Sequence, residues 1–316
     1  MTAPQELPPS AVVGRRALDD DLTVVTAKLG PLARIARLWR YRELLLTLVR
    51  TELKVKYKNS VLGFMWSMLN PALYLAVFYV VFTVFLKNGI PQFAIYLMSG
   101  LLVWNLFSLG LGNATGSIVA NSGIVKKVSF PREILPVASV GAGVVHFFLQ
   151  AVVLFIALIG FQHSVAWDYL WLIFPALLTL LVLAAGLGIF LTAVNVYLRD
   201  VQHFLELLLL AWFWMTPIVY RYSQVVPEPG APHPHRTFEL LYKLNPMVWI
   251  VLPFQRAIYN KTSFKLSGQT LYVLPESASP LWYLARIAVV FALASAMLIG
   301  ALTFFGRVEG NFAEEL

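Results

Sequence analysis

The residues able to do chemistry in this chain lie outside its apolar runs. The densest group is the polar insert Val125-Lys126-Lys127-Val128-Ser129-Phe130-Pro131-Arg132-Glu133. Ile124, Val125, Val128 and Phe130 are apolar there, Lys126, Lys127 and Arg132 are basic, and Pro131 interrupts the run. An apolar knob with a basic rim suits a cleft on another protein; a loop lying on lipid headgroups, its lysines at the phosphates, fits the same residues. The adjacent pair Arg199-Asp200 reads either as an ion pair or cap in a tight loop or as a contact for a partner. Enzymatic patterns do not occur. There is no Gly-x-Ser-x-Gly turn, no His-Glu-x-x-His and no carboxylate cluster at a span end for a metal, so no catalytic residue and no metal site is assigned. No Gly-rich loop ends in Gly-Lys-Ser/Thr, so the chain does not hydrolyse ATP by that route, and an ATP-driven role needs a second subunit. Proton- or ion-coupled transport favours ionisable residues within spans. His146 and Glu206 are the candidates, and His146 reads better as a hydrogen-bonded packing residue.

The elements that position these residues follow from composition. Hydrophobic residues make up 59% of the 316 and charged residues 13%, against roughly 45–50% and 25% in soluble domains. With a mean hydropathy of +0.73, the chain reads as one membrane domain. Crossing a hydrocarbon core of about 30 Å takes roughly 20 helical residues. Six apolar stretches meet that need: 67–86, 93–111, 137–161, 170–194, 204–220 and 282–305. None alternates polar and apolar residues as a barrel strand does, so the expected fold is an all-α integral membrane protein with six transmembrane helices. Eleven of the 24 Lys and Arg precede Asn59, which fits a cytoplasmic flank at anionic headgroups and not a nucleic-acid-reading face. Lys126, Lys127 and Arg132 in the second connection and Arg199 in the fourth, with the basic N-terminal flank, place those loops and both termini in the cytoplasm. Cysteine is absent, so there is no disulfide or thiolate site. Residues 1–30, with Pro4, Pro8, Pro9 and Asp19 to Asp21, are unlike a cleavable signal peptide and are expected to be a polar, disordered extension.

Residues 31–60 are expected to form an amphipathic helix. Ile35, Leu38, Trp39, Leu45, Leu46, Val49 and Leu53 recur at three- and four-residue steps, and Arg50, Lys54 and Lys58 make a basic stripe on another face. Such a helix lies at the cytoplasmic headgroups or packs on a cytoplasmic partner. The fifth connection, 221–281, is external and too long for a turn. Its Pro-rich start is followed by the apolar segment 238–259, broken by Pro246 and Pro253, which reads as re-entrant or interfacial helices lining a pathway. Trp66, Tyr74, Phe78, Tyr79, Trp212, Trp214 and Tyr220 belong to interfacial belts and packing or to a stacking surface for sugar rings. Gly112 with Gly116, and Gly186 with Gly188, would allow close helix contact. Pro71, Pro175 and Pro217 would kink spans.

Several runs together resemble a known family. They are Tyr57-Lys58-Asn59-Ser60-Val61-Leu62-Gly63-Phe64-Met65-Trp66 with Asn70-Pro71, the insert closing Phe130-Pro131-Arg132-Glu133-Ile134-Leu135-Pro136, the loop Asn195-Val196-Tyr197-Leu198-Arg199-Asp200-Val201, and Leu244-Asn245-Pro246. From about Arg40 onward the chain is similar to permease subunits of type-2 ATP-binding-cassette exporters of polysaccharide or polyol phosphate, which include O-antigen, teichoic-acid and galactan exporters. The resemblance implies a transmembrane domain over 61–316 in the plasma (inner) membrane, with an external gate at about 221–281. It also implies a homodimer bound to two copies of a separate ATPase that holds ATP and Mg, this chain itself binding no cofactor. The coupling contact falls on Ile124, Val125, Lys126, Lys127, Phe130, Pro131, Arg132 and Glu133, with a second at Arg199 and Asp200. Arg50, Lys54 and Lys58 match a lipid diphosphate in charge, and Asn245, Pro246 and Trp249 fall at the external gate. The substrate implied is a lipid-linked glycan passing an aromatic-lined channel. A type-2 permease for drugs or small lipids, a proton-coupled transporter and a membrane transferase are the alternatives.

Overall fold

The computed structural model describes residues 30–58, 60, 63–85, 89–227, 236–266, 269–275 and 278–316. The expected extension over the first 29 residues lies outside them, as do Asn59, Val61 and Leu62 of the motif before the first expected span. Pro31 starts α1 (Pro31–Arg40) at a position where its missing N–H is no loss. A turn at Tyr41 separates it from α2 (Arg42–Tyr57), so the single amphipathic helix read from the sequence is two helices. The bend lets each dock on a different partner, α1 on the C-terminal helix and α2 on the helix that follows the insert. α3 (Trp66–Tyr79) runs through Pro71 and continues as a π-helical stretch, Val80–Phe85. Then come α4 (Phe93–Ala120), α5 (Ser122–Val125), α6 (Ile134–Gly160), α7 (Trp167–Leu170), α8 (Ile173–Tyr197) and α9 (Val201–Trp214). α10 (Arg236–Leu244), α11 (Pro246–Ile258), a hairpin of β1 (Ser263–Leu266) and β2 (Gln269–Tyr272), α12 (Pro280–Val308) and α13 (Phe312–Glu315) complete the chain.

Among the described residues, four helical stretches are long and apolar enough to cross a membrane: α4, α6, Trp167–Tyr197 (α7 and α8) and Pro280–Asn311 (α12 and the turn after it). They match the second, third, fourth and sixth expected spans. The first is helical over Trp66–Phe85, but its apolar run, Pro71–Phe85, is short. The fifth departs from expectation. α9 stops at Trp214, and fourteen residues at 1.5 Å reach only about 21 Å. Pro217 brings no N–H to continue a helix, and Met215 to Tyr220 are irregular. The hairpin is also an addition to the all-α expectation. β1 and β2 pair antiparallel from Ser263 opposite Tyr272 to Leu266 opposite Gln269, and two residues, one of them Gly268, separate the strands in sequence.

α4 is the central helix, buried along most of its length against α6 and α8, with α8 also packed on α12. Small residues set these distances. A Cβ on Gly188 would come within 2.8 Å of the Ala114 methyl, and one on Gly186 within 3.1 Å of Leu298 Cα. Gly112, expected to serve the same purpose, faces open space instead, because α4 turns that side to a cavity. Across α4 and α6, Asn105 Nδ2 donates to Gln150 Oε1 at 2.9 Å, so each amide finds a partner inside an apolar bundle.

The irregular segment after α9 is held by side chains aimed at its carbonyls. Tyr96 Oη donates to Tyr220 O (2.6 Å) and Pro217 O (3.2 Å), and Gln255 Nε2 donates to Pro217 O (2.6 Å). Asn245 caps α11 by accepting from Met247 N (3.0 Å) and Trp212 Nε1 (2.7 Å), and it donates to Met215 O (3.0 Å). Non-helical backbone at membrane depth survives only with such partners. Pro246 begins α11 where no N–H is needed, whereas Pro253, expected to break the segment, sits inside a helix whose residues are almost all buried and does not interrupt it. Asn245→Ala removes a cap and orphans Trp212 Nε1 and the Met215 carbonyl, so a loss of about 2–4 kcal/mol is expected, read as a lowered unfolding midpoint of the purified protein.

Candidate docking surface and cavity

The insert is bolted to both ends of the chain through one guanidinium. Arg34 of α1 pairs with Glu133 at the end of the insert, and with Glu309 after α12 at 2.6 Å. Arg34 is 8% exposed and Glu133 2%. Burial pulls the Arg34 guanidinium down, the hydrogen bond to Glu309 and the charges of Glu133 and Glu309 push it up, and the net is upward, so it stays charged. Room for it comes from Gly306, where a Cβ would collide with the guanidinium. Arg132 Nη1 donates to the Glu309 carbonyl from the other side. Beneath lies a small apolar core of Ile118, Val125, Ile134, Val196, Phe305 and Phe312.

On this mount the insert divides its residues. Val125 is buried, Pro131 is buried, and Phe130 packs against the small core. Ile124 and Val128 point out at 46% and 55% exposure, beside exposed Lys126 and Lys127. The apolar knob expected from Ile124, Val125, Val128 and Phe130 is therefore two pairs, one anchoring and one outward-facing, because Ile124 and Val125 are successive residues of α5 and point in different directions, and Val128 and Phe130 lie beyond it in irregular backbone. Arg199 and Asp200 are exposed at the same end, where Val196 joins the small core and Tyr197 Oη donates to Val308 O at 3.0 Å. Asp200 does not cap α9 with its side chain, and neither residue forms an ion pair among the described residues, which leaves both for an external contact.

Next to the insert, α2, α4, α6 and α9 line an open cavity of about 830 Å³, with Thr51, Glu52, Asn113, Ser139, Gln202 and Glu206 among apolar neighbours. Asn113 Nδ2 donates to Glu52 Oε1 (3.1 Å) and Ser139 Oγ to Glu52 Oε2 (3.2 Å). Arg50, Lys54 and Lys58 are exposed and do not line it; Arg50 and Lys54 are on other sides of α2, and Lys58 follows its end. The expected aromatic surface is also divided. Phe78 contacts Phe82 at 5.9 Å, Trp212 meets Phe107 edge-on at 5.1 Å, and Tyr220 Oη donates to Trp214 O at 3.0 Å. Trp66, Tyr74, Tyr79 and Trp214 are exposed. At the other end of the bundle, Asn245 and Pro246 set the start of α11 as described, and Trp249 Nε1 donates to Lys243 O at 2.7 Å. His146 is buried in α6 and lines no part of the cavity.

Arg34, Gly306, Glu309 and Glu52 carry this arrangement and were not singled out by sequence. Arg34 was one of eleven basic residues near the N-terminus, and nothing in its spacing joins it to positions 99 and 275 residues away.

Residues 43–259 match the family model described as ABC-2 type transporter. The chain belongs to that family of transporter membrane domains. It is 32% identical over 283 residues to the O-antigen export system permease protein RfbA of Myxococcus xanthus, covering 89% of this chain and 98% of that one. To a protein of the same name from Klebsiella pneumoniae it is 30% identical over 276 residues, covering 87% and 95%. To the polysialic acid transport protein KpsM of Escherichia coli the identity is 22% over 207 residues, or 63% and 75%.

Gly306→Ala should destabilise the protein by forcing the guanidinium off its carboxylates, a loss of about 3 kcal/mol if one partner is lost. In an Arg34→Ala background the same change should add little. Urea-dependent unfolding of the four proteins in the cycle measures the coupling, and additive losses would refute it.

Proposed function

We propose that this chain is the permease subunit of an ATP-driven exporter that moves a lipid-linked polysaccharide of the O-antigen type outward across the plasma (inner) membrane. The observation that carries this reading is the insert: two apolar side chains and two lysines held outward on a buried ion-pair mount, beside exposed Arg199 and Asp200. The export permeases it resembles over nearly their whole length support the polysaccharide class. In this reading α3 and α9 complete six crossings, and α10 and α11 are the re-entrant helices of the external gate. Both termini are cytoplasmic, and two copies of the chain meet two copies of an ATPase that binds ATP and Mg. Lys126 and Lys127 rim the contact while Ile124 and Val128 fill a cleft on the ATPase. Exposed Leu32, Trp39 and Leu46 on α1 and α2 rest in the headgroup layer. The coupling step is mechanical. Movement of the ATPase pushes the insert, and because Glu133 shares Arg34 with Glu309, the push reaches α1 and α12 together.

The cavity and the basic stripe divide the substrate. Carboxylates and amides along the cavity accept from and donate to hydroxyl groups and repel a diphosphate, so the sugars belong there and the diphosphate outside, at Arg50, Lys54 and Lys58. Exposed Trp66, Tyr74, Tyr79 and Trp214 offer ring faces to the passing glycan.

Ile124→Asp combined with Val128→Asp leaves the anchoring residues untouched, so membrane insertion should be normal while stimulation of the coexpressed ATPase and export of the glycan are both lost. Coupled transport at wild-type rate would sink the docking role. Replacing Arg50, Lys54 and Lys58 by Gln should lower export with accumulation of lipid-linked glycan on the inner side; unchanged export at normal expression rejects the diphosphate assignment.

A further inference from the structure

At the far end of the bundle two arginines are held by aromatic rings without a carboxylate. Arg286 lies about 9 Å along α12 from its start, in the layer where a membrane-crossing helix meets headgroups. Its guanidinium carbon is 3.4 Å from the Trp282 ring centroid and 5.2 Å from that of Trp249. It donates once to protein, from Nη1 to the Trp282 carbonyl at 3.1 Å. Arg256 of α11 stands 4.1 Å over the Tyr169 ring, and its Nη1 reaches Asn260 O (2.9 Å) and Oδ1 (2.6 Å). Tyr169 and Trp282 each meet Tyr283 edge-on, at 6.1 and 5.0 Å, so one lattice of rings joins the two cations.

Neither arginine forms an ion pair among the described residues. Among the described residues, the Tyr283 hydroxyl, on a side chain 1% exposed, has no hydrogen-bond partner, and neither has the buried Arg256 Nε. Buried donors left without partners are uncommon enough to need a cause. A ring over the flat face of a guanidinium neutralises little of its charge and leaves its in-plane N–H groups available. Such forks bind the oxygens of carboxylates and phosphates, and in the headgroup layer of a bilayer the phosphate is the abundant one of the two.

We propose that Arg256, Arg286 and the Tyr283 hydroxyl form a binding site for a phosphate group carried on a lipid, at the end of the bundle opposite the insert. The aromatic rings hold the cations ready while the lipid chain lies along α12. The site stands whether or not the exporter reading does, since it rests on different residues. The same chemistry is offered by two sources, the phosphate of a bilayer phospholipid and the diphosphate of an isoprenoid carrier.

The test uses purified, delipidated full-length protein in detergent, titrated with dioctanoyl phosphatidylglycerol, a polyprenyl diphosphate, dioctanoylglycerol and inorganic phosphate. Tryptophan emission follows binding, because Trp249 and Trp282 flank Arg286, and native mass spectrometry counts bound lipid. Saturable binding of the phosphate lipids is expected, with none for dioctanoylglycerol. Arg286→Gln and Arg256→Gln should each weaken it at least about tenfold, with Arg286→Lys intermediate. Tyr283→Phe keeps the ring lattice and should weaken binding less, so it reports the site even if an arginine variant fails to stay monodisperse. Whichever phosphate lipid binds more tightly identifies the source. Equal affinity in wild type and variants, binding of dioctanoylglycerol, or inorganic phosphate binding as tightly as either lipid overturns the proposal.

Discussion

A guanidinium taken out of water must keep its charge and its hydrogen bonds, or the segment that carries it does not stay folded there. Arg34 meets that demand with Glu133 and Glu309, and thereby joins α1, the insert and the end of α12 into one body. Neither carboxylate is near it in sequence. The arrangement exists only because Gly306 vacates the space in which the guanidinium lies, and because the small core beneath brings α4, α6, α8 and α12 together at that end. Breaking a buried pair leaves an uncompensated charge, which is more damaging than the pair is stabilising. That asymmetry makes the mount stiff, and stiffness is what a loop needs if a push on it is to move helices.

The other end of the bundle solves a different problem with neutral groups. A helix that stops short at Trp214 exposes carbonyls where water is scarce, and Tyr96, Asn245 and Gln255 supply donors to them. Here the geometry is held by hydrogen bonds between neutral groups from three separate elements, α4, the α10–α11 junction and α11. Such a network has fewer reasons to be rigid than an ion-paired one. A gate placed here and a lever placed at the insert are consistent with the local physics of each end.

Much of the architecture was legible from residue order. Long apolar stretches located α6, α8 and α12 within a few residues and the start of α4, because a helix of twenty apolar residues has few alternatives in a membrane; α4 continues past the expected end at Leu111 to Ala120, through a stretch read as connection. Pro246 reads as a break, and the structure gives the reason it separates α10 from α11: Asn245 caps the second helix and Pro246 begins it where no donor is needed. What failed was local. The sequence read Pro253 as a break and 204–220 as a continuous span, since a window of hydropathy does not register which residues surround a proline. The hairpin at Ser263–Leu266 and Gln269–Tyr272 was hidden by its brevity within a region read as loop and helix.

The docking surface shows the same division. Residue order showed that the insert is amphipathic and that it and the pair Arg199-Asp200 lie in connections between expected spans. It did not show that Val125 and Phe130 turn inward while Ile124 and Val128 turn out, that Arg34 rather than any residue of the basic stripe holds the assembly together, or that Arg50, Lys54 and Lys58 face away from the cavity. By itself the sequence determined a helical membrane protein of the type-2 transporter class with no ATP site of the P-loop kind, because hydropathy, charge bias and short motifs are properties of neighbours along the chain. The tertiary structure decided which charges meet and which apolar side chains are left outward, because a guanidinium, two distant carboxylates and a missing Cβ become one feature only when the helices carrying them are packed together.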